Sequence, residues 1–144
     1  MNELEQFNQQ IDTLLNGLKP AQNKKKFREI GKVLRKANQQ RITQQVNTDG
    51  SAYEPRKRKP NTVKKAKKML INLRKAKHMK VKASSDGVAV GFAGLDATIA
   101  SVHQFGAQGQ VTKKLTYDYP VRELLGINQE DKQNILDILL QDEL

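Results

Sequence analysis

Two histidines, fifteen carboxylates and no cysteine are the raw material for any bond-making chemistry in this chain. His103 is the first candidate acid or base, because an imidazole with an unperturbed pKa near ~6.5 exchanges protons at neutral pH. It needs a nucleophile or an orienting carboxylate within reach. Asp96 stands two helical turns earlier and suits a helix cap, and Asp118 would reach the ring only through a fold contact. His103 is therefore read as a packing or hydrogen-bonding residue, and His78, among lysines, as a surface one. No histidine pair has helical metal-ligand spacing. Glu130 and Asp131 fit the first turn of a helix, where negative charge is favourable without any ion. Gly87, Gly91 and Gly94 do not lead into a helix carrying Lys-Ser or Lys-Thr, so they form no phosphate loop. Without cysteine, disulfides, thiolate nucleophiles and sulfur-ligated zinc are excluded. The sequence predicts no catalytic, cofactor or metal site, and the protein is not expected to be an enzyme.

Electrostatic chemistry is better represented. The chain carries 26 Lys and Arg against 15 acids, a formal charge of +11, which favours an acidic partner. The charge gathers at Arg56, Lys57, Arg58 and Lys59, then Lys64, Lys65, Lys67 and Lys68, a candidate basic contact surface that continues through Arg74, Lys75 and Lys77. Such a tract can follow phosphates nonspecifically. Only Tyr53, at its edge, offers a ring for base stacking, so sequence-specific recognition is not indicated. A nonspecific DNA or RNA contact through the basic 56–82 tract, which would make the chain a nonspecific nucleic-acid-binding protein, is the alternative function; the same lysines equally fit an acidic protein face or a solvated face. No run approaches the ~18 apolar residues of a membrane span, Met1 is followed by acidic and polar residues rather than a leader pattern, and acids on the C-terminal helix would be repelled by anionic lipid. No membrane contact is expected.

The elements that must position these residues follow from periodicity. A chain of 144 residues with 37% hydrophobic content is expected to form a single domain, 1–144, with a basic loop and helix at about 54–78. Phe7, Ile11, Leu14, Leu15 and Leu18 make one apolar helical face that Gly17 and Pro20 end. A second helix from Pro20 or Ala21 carries Phe27, Ile30, Val33, Leu34, Ala37 and Arg41, with Lys24, Lys25 and Lys26 turned to solvent or a subunit. The pair predicts a helical hairpin, closed by the turn residues Asp49 and Gly50. Thr62 would cap a helix through Val63, Met69, Leu70 and Leu73. Alternation at Met79, Val81 and Ala83, a Ser85-Asp86-Gly87 turn, and Val88, Val90 and Phe92 predict an antiparallel hairpin over 79–93. Asp96 should cap a short helix from Ala97 to His103. Gly106 and Gly109 predict a mobile loop, Leu115 to Tyr117 a final strand, and Pro120 to Leu125 a short helix. Asn128 caps a last helix with Ile135, Leu136, Ile138, Leu139 and Leu140. The predicted class is α+β: an N-terminal helical hairpin, a small antiparallel sheet with a short packed helix, and a C-terminal amphipathic helix.

Five segments in this order resemble a known pattern: Asp49 to Arg56 (DGSAYEPR), Lys68-Met69-Leu70 with Leu73, Val90-Gly91-Phe92, Ile99 to Gly106 (IASVHQFG), and Tyr119 to Gly126 (YPVRELLG). The chain resembles the phage virion morphogenesis family over nearly its whole length. Tyr53 stands where the family usually has Trp, which keeps a large ring with a polar edge. The resemblance implies a non-enzymatic structural protein of contractile-tailed temperate phages or prophages. It would act late in tail assembly at the head-proximal end or neck, as a homo-oligomeric ring. Implied partners are the tail tube or tail terminator and neck or connector proteins. The implied location is the virion, after assembly in the host cytoplasm. Under this resemblance the candidate interface or structural residues are His103, Gln104, Phe105, Gly106, Tyr119, Pro120, Arg122, Glu123, Leu124 and Leu125. Arg122 and Glu123 would set register and Leu124 and Leu125 supply apolar anchors. Glutamates at Arg122 and Leu124 are then expected to leave the monomer folded.

Overall fold

Helix α1 (Glu3–Leu15) starts where the Asn2 side chain accepts a hydrogen bond from the Glu5 amide at 2.8 Å, and Glu3 and Glu5 place negative charge at its positive end. These features belong to a computed structural model, which describes residues 2–55, 68–112 and 115–141. Gly17, at φ 91°, turns the chain out of α1, and Pro20 opens α2 (Pro20–Gln44), whose locked φ suits a first helical position. The remaining elements are β1 (Lys80–Ala83), β2 (Val88–Gly91), α3 (Gly94–Gln104), β3 (Gln108–Thr112), β4 (Leu115–Asp118) and α4 (Gln129–Leu140). Helices and two small two-stranded sheets make the fold α+β, with the predicted helical hairpin, β1–β2 hairpin, short helix and closing helix all present.

Packing divides the chain into two units, Met1–Arg35 with Val81–Val90 and Ile127–Leu144, and Lys36–Lys80 with Gly91–Gly126. The first has a core of Phe7, Leu15, Phe27, Ile30, Ile135, Ile138 and Leu139, with Ala83 and Val88 of the hairpin packed against it. Gly31 sits in mid-helix, where glycine costs stability, because a Cβ there would run into Val81 Cγ1 and come within 2.8 Å of Val88 Cγ2. Asn128 and Asp131 form a reciprocal capping box at the start of α4, with bonds of 2.8 and 3.0 Å. The opposite end of α4 is held from α2. Lys24 and Lys25 are exposed as expected, but Lys26 is only 4% exposed and its ammonium donates to the carbonyls of Ile138 (3.2 Å) and Gln141 (2.9 Å). A cation there satisfies orphan carbonyls at the negative end of the helix. Leu140, expected in the apolar stripe, is exposed instead, since Ile135, Ile138 and Leu139 already fill the inward face.

The second unit is built on Ile42, Tyr53, Leu73, Met79, Ala100 and Leu124, all buried. Helix α2 stops as Gln45 enters the left-handed region at φ 58°, the Val46 amide returns to the Arg41 carbonyl at 3.0 Å, and Val46 pairs with Ala52 across the Asn47 to Ser51 turn. Three expectations fail here. In place of a helix through Leu73, Leu70 has φ 61° and leads a single 3-10 turn, Ile71–Arg74; the preceding positions, including Thr62 and Val63, lie outside the described residues. Asp96 is not a cap: it lies inside the first turn of α3, and its Oδ2 meets His78 Nδ1 at 2.7 Å. The expected loop after Gly106 is strand β3, paired antiparallel to β4 from Gln108 opposite Asp118, with a bulge between Gln110 and Thr112. Gly109 serves close packing there, because a Cβ would meet the Tyr119 ring at 2.7 Å.

Candidate functional site

The predicted helix from Pro120 to Leu125 does not form; that segment is irregular and its backbone is held by side chains instead. Gln104, the last residue of α3, acts like a short piece of strand: its Oε1 accepts from the Leu124 amide (2.8 Å) and the Leu125 amide (3.0 Å), and its Nε2 donates to the Leu125 carbonyl (2.9 Å). Asn38 Oδ1 accepts from the Gly126 amide at 3.0 Å, while Arg41 donates to the Gly126 carbonyl at 2.8 Å and to Asn38 Oδ1 at 2.6 Å. The Glu123 amide donates to Asn47 Oδ1 at 2.9 Å, its carbonyl accepts from the Tyr53 hydroxyl at 2.5 Å, and its Oε1 accepts from the Thr48 amide at 3.1 Å. Five side chains thus replace the ladder that a helix would have supplied.

Arg122 closes the same cluster. Its backbone amide donates to the His103 carbonyl at 2.8 Å, its Nε to the Glu54 carbonyl at 2.9 Å and its Nη2 to the Pro55 carbonyl at 3.3 Å. Its Nη1 lies 3.3 Å from His103 Nδ1. Guanidinium has only donors, so in this contact Nδ1 accepts and the imidazole proton sits on Nε2. The His103 ring packs on Tyr119 at 4.8 Å, and Tyr119 meets Tyr117 edge-on at 4.9 Å. Burial pushes the Tyr53 phenol up to about 12, partly offset by the nearby Arg41 and Arg122 cations.

The arrangement fastens chain to chain. His103, Gln104, Tyr119, Arg122, Glu123, Leu124 and Leu125 are brought together, with Gly106 at φ 62° against Val121 and the Tyr119 carbonyl, and Pro120 half-buried. The expected outward role of Arg122 and Leu124 does not fit their exposure of 4% and 1%: both are enclosed by their own chain, so glutamates there would disrupt the unit. Phe105, by contrast, is 76% exposed, and Val121 beside Gly106 is 52% exposed. His78 is half-buried against Asp96 rather than a free surface residue. Lys68 is exposed and donates to the Thr43 carbonyl at 2.8 Å; Arg56, Lys57, Arg58, Lys59, Lys64, Lys65 and Lys67 lie outside the described residues. Among the described residues no group of three or more His, Asp or Glu is placed to hold a metal.

Sequence reasoning missed Asn38 and Arg41 as parts of this cluster. A signal was present, because both fall where the apolar stripe of α2 should continue past Leu34, and a polar residue at an inward position must find a buried partner.

Comparison with known proteins bears on the whole of this arrangement. The model of the phage virion morphogenesis family matches residues 2–142. The chain is 34% identical over 145 residues to the Tail completion protein S of Escherichia phage P2, covering 97% of each. No solved structure matches.

Proposed function

The chain belongs to the phage virion morphogenesis family, and from that premise we propose that it is a structural virion protein completing the tail at its head-proximal end or neck. It permits head–tail joining as one subunit of a homo-oligomeric ring, in contact with the tail tube or terminator on one side and a neck or connector protein on the other. It acts by shape and charge, with no bond made or broken.

The full-length likeness to a tail completion protein carries this reading. The geometry adds support. Three of the segments behind the resemblance, DGSAYEPR, IASVHQFG and YPVRELLG, close into one hydrogen-bonded cluster that mounts the exposed Phe105 and Val121 on rigid backbone. Apolar side chains held out from hydrogen-bonded backbone suit a subunit contact, because preorganisation lowers the entropy lost on docking.

Deleting the gene from the phage tests the reading. Electron microscopy is expected to find complete heads beside complete but unattached tails. Normal joined particles of undiminished infectivity would refute it.

A further inference from the structure

Helix α2 carries eight Lys and Arg against one acid, Glu29. Two of the eight are used inside the fold: buried Lys26 caps α4, and Arg41 holds the Gly126 carbonyl. Between Asn23 and Arg35, within the first unit, every exposed residue is a cation: Lys24, Lys25, Arg28 and Lys32. Arg35, half-buried, continues the row. None of the five forms an ion pair among the described residues, with the half-buried Glu29 or with any other acid.

The acids of the neighbouring elements belong to the other side of the helix. Helices α1 and α4 join the core that Phe27 and Ile30 build, and Asp12 and Asp86 border the cleft over those same two side chains. At about 3.6 residues per turn, Lys25, Arg28 and Lys32 stand opposite Phe27 and Ile30. On the flank between them, strand β1 meets Gly31 through Val81 and carries no acid.

The spacing fits a linear polyanion. Lys25, Arg28, Lys32 and Arg35 follow at three, four and three residues, one per turn over a rise of ~15 Å. One strand of duplex DNA carries a phosphate every ~3.4 Å of axis, so about four phosphates would run alongside. A row with no exposed apolar or aromatic side chain lacks the core of a protein interface and the insertion that holds a helix on lipid. It also lacks rings on which unpaired bases stack.

We propose that this face of α2 is a contact for the phosphate backbone of duplex DNA, independent of base sequence and separate from the 56–82 tract. It adds a partner to the proposed tail role and does not depend on ring formation. Each exposed cation that meets a phosphate releases condensed counterions, which makes the attraction strong at low salt and steeply salt-dependent.

Fluorescence anisotropy of the full chain with a short mixed-sequence DNA duplex, titrated across salt concentrations, tests the contact. K25Q/R28Q/K32Q removes three exposed, unpaired cations in favour of a residue of similar helix propensity, so it should melt with the wild type. Each lost phosphate contact takes about 0.9 from the slope of log K against log salt, so the slope should become shallower by about 2.7, with low-salt affinity down at least roughly tenfold. Single variants R28Q and K32Q, each worth about 0.9 of slope, give the same reading should the triple variant melt early. The wild type should also hold the duplex more tightly than a single strand of equal length, whose charge density is lower. Variants that keep the wild-type slope assign duplex binding to another surface and overturn the contact, as does a preference for the single strand. A wild type that ignores the duplex overturns it outright. If that wild type binds purified tails and the triple variant does not, the stripe serves an acidic protein face, and the tail role survives without the DNA contact.

Discussion

At the scale of single residues, Gln104 and Tyr53 do the work that the absent helix at 120–125 would have done. Replacing Gln104 with Leu removes the partners of two amides and one carbonyl while keeping the side chain's bulk. A loss of about 2–4 kcal/mol is expected in a denaturant titration, larger than an exposed substitution would give, because half-buried backbone groups are left without partners. Tyr53→Phe should cost about 1 kcal/mol through the bond to the Glu123 carbonyl. Its pH dependence has a definite sign. The folded phenol titrates at about 12, above its ordinary value near ~10, so its contribution is complete below pH ~10 and is lost as pH rises through about 12. The stability difference between wild type and Y53F should be flat to about pH 10 and shrink above it. In the folded protein, the tyrosinate absorbance missing from Y53F should emerge near pH 12; emergence in the ordinary phenol range would contradict the burial account.

At the scale of elements, the local signals were legible and the long-range ones were not. The 3–4 spacing of Phe7, Ile11, Leu14 and Leu18, the alternation around the Ser85-Asp86-Gly87 turn and the Asn128 cap each act within a few residues, and each produced the expected element. Pro120 suggested a helix, but the backbone there is bonded instead by Gln104, Asn38 and Asn47, none of them local to it. Gly109 read as flexibility but is demanded by the Tyr119 ring, and Lys26 read as surface but caps a helix 112 residues away. Gly31 makes the clearest test at this scale. Alanine is the better helix former by about 1 kcal/mol, yet its methyl would collide with Val81 and Val88 of the hairpin. Gly31→Ala is therefore expected to destabilise by about 1–3 kcal/mol and to loosen hydrogen-exchange protection in β1 and β2. A stabilised G31A would show that the hairpin does not press on α2 as described.

For the whole molecule, what the sequence conveyed best was the ordered set of motifs, and in the structure three of them hydrogen-bond to one another. The role of Arg122 and Leu124 was not legible, because a charged residue beside leucines reads equally well as a surface anchor or an internal clamp until its burial is known. The proposed function makes this protein a consumed part of the particle and not a catalyst. It is tested most directly by adding purified protein to an extract of cells infected with phage lacking the gene. Infectious titre should rise in proportion to the protein added until every particle is supplied, with the protein retained in purified virions at a fixed copy number. Full titre from a trace amount, with none of the protein found in the particles, would contradict it.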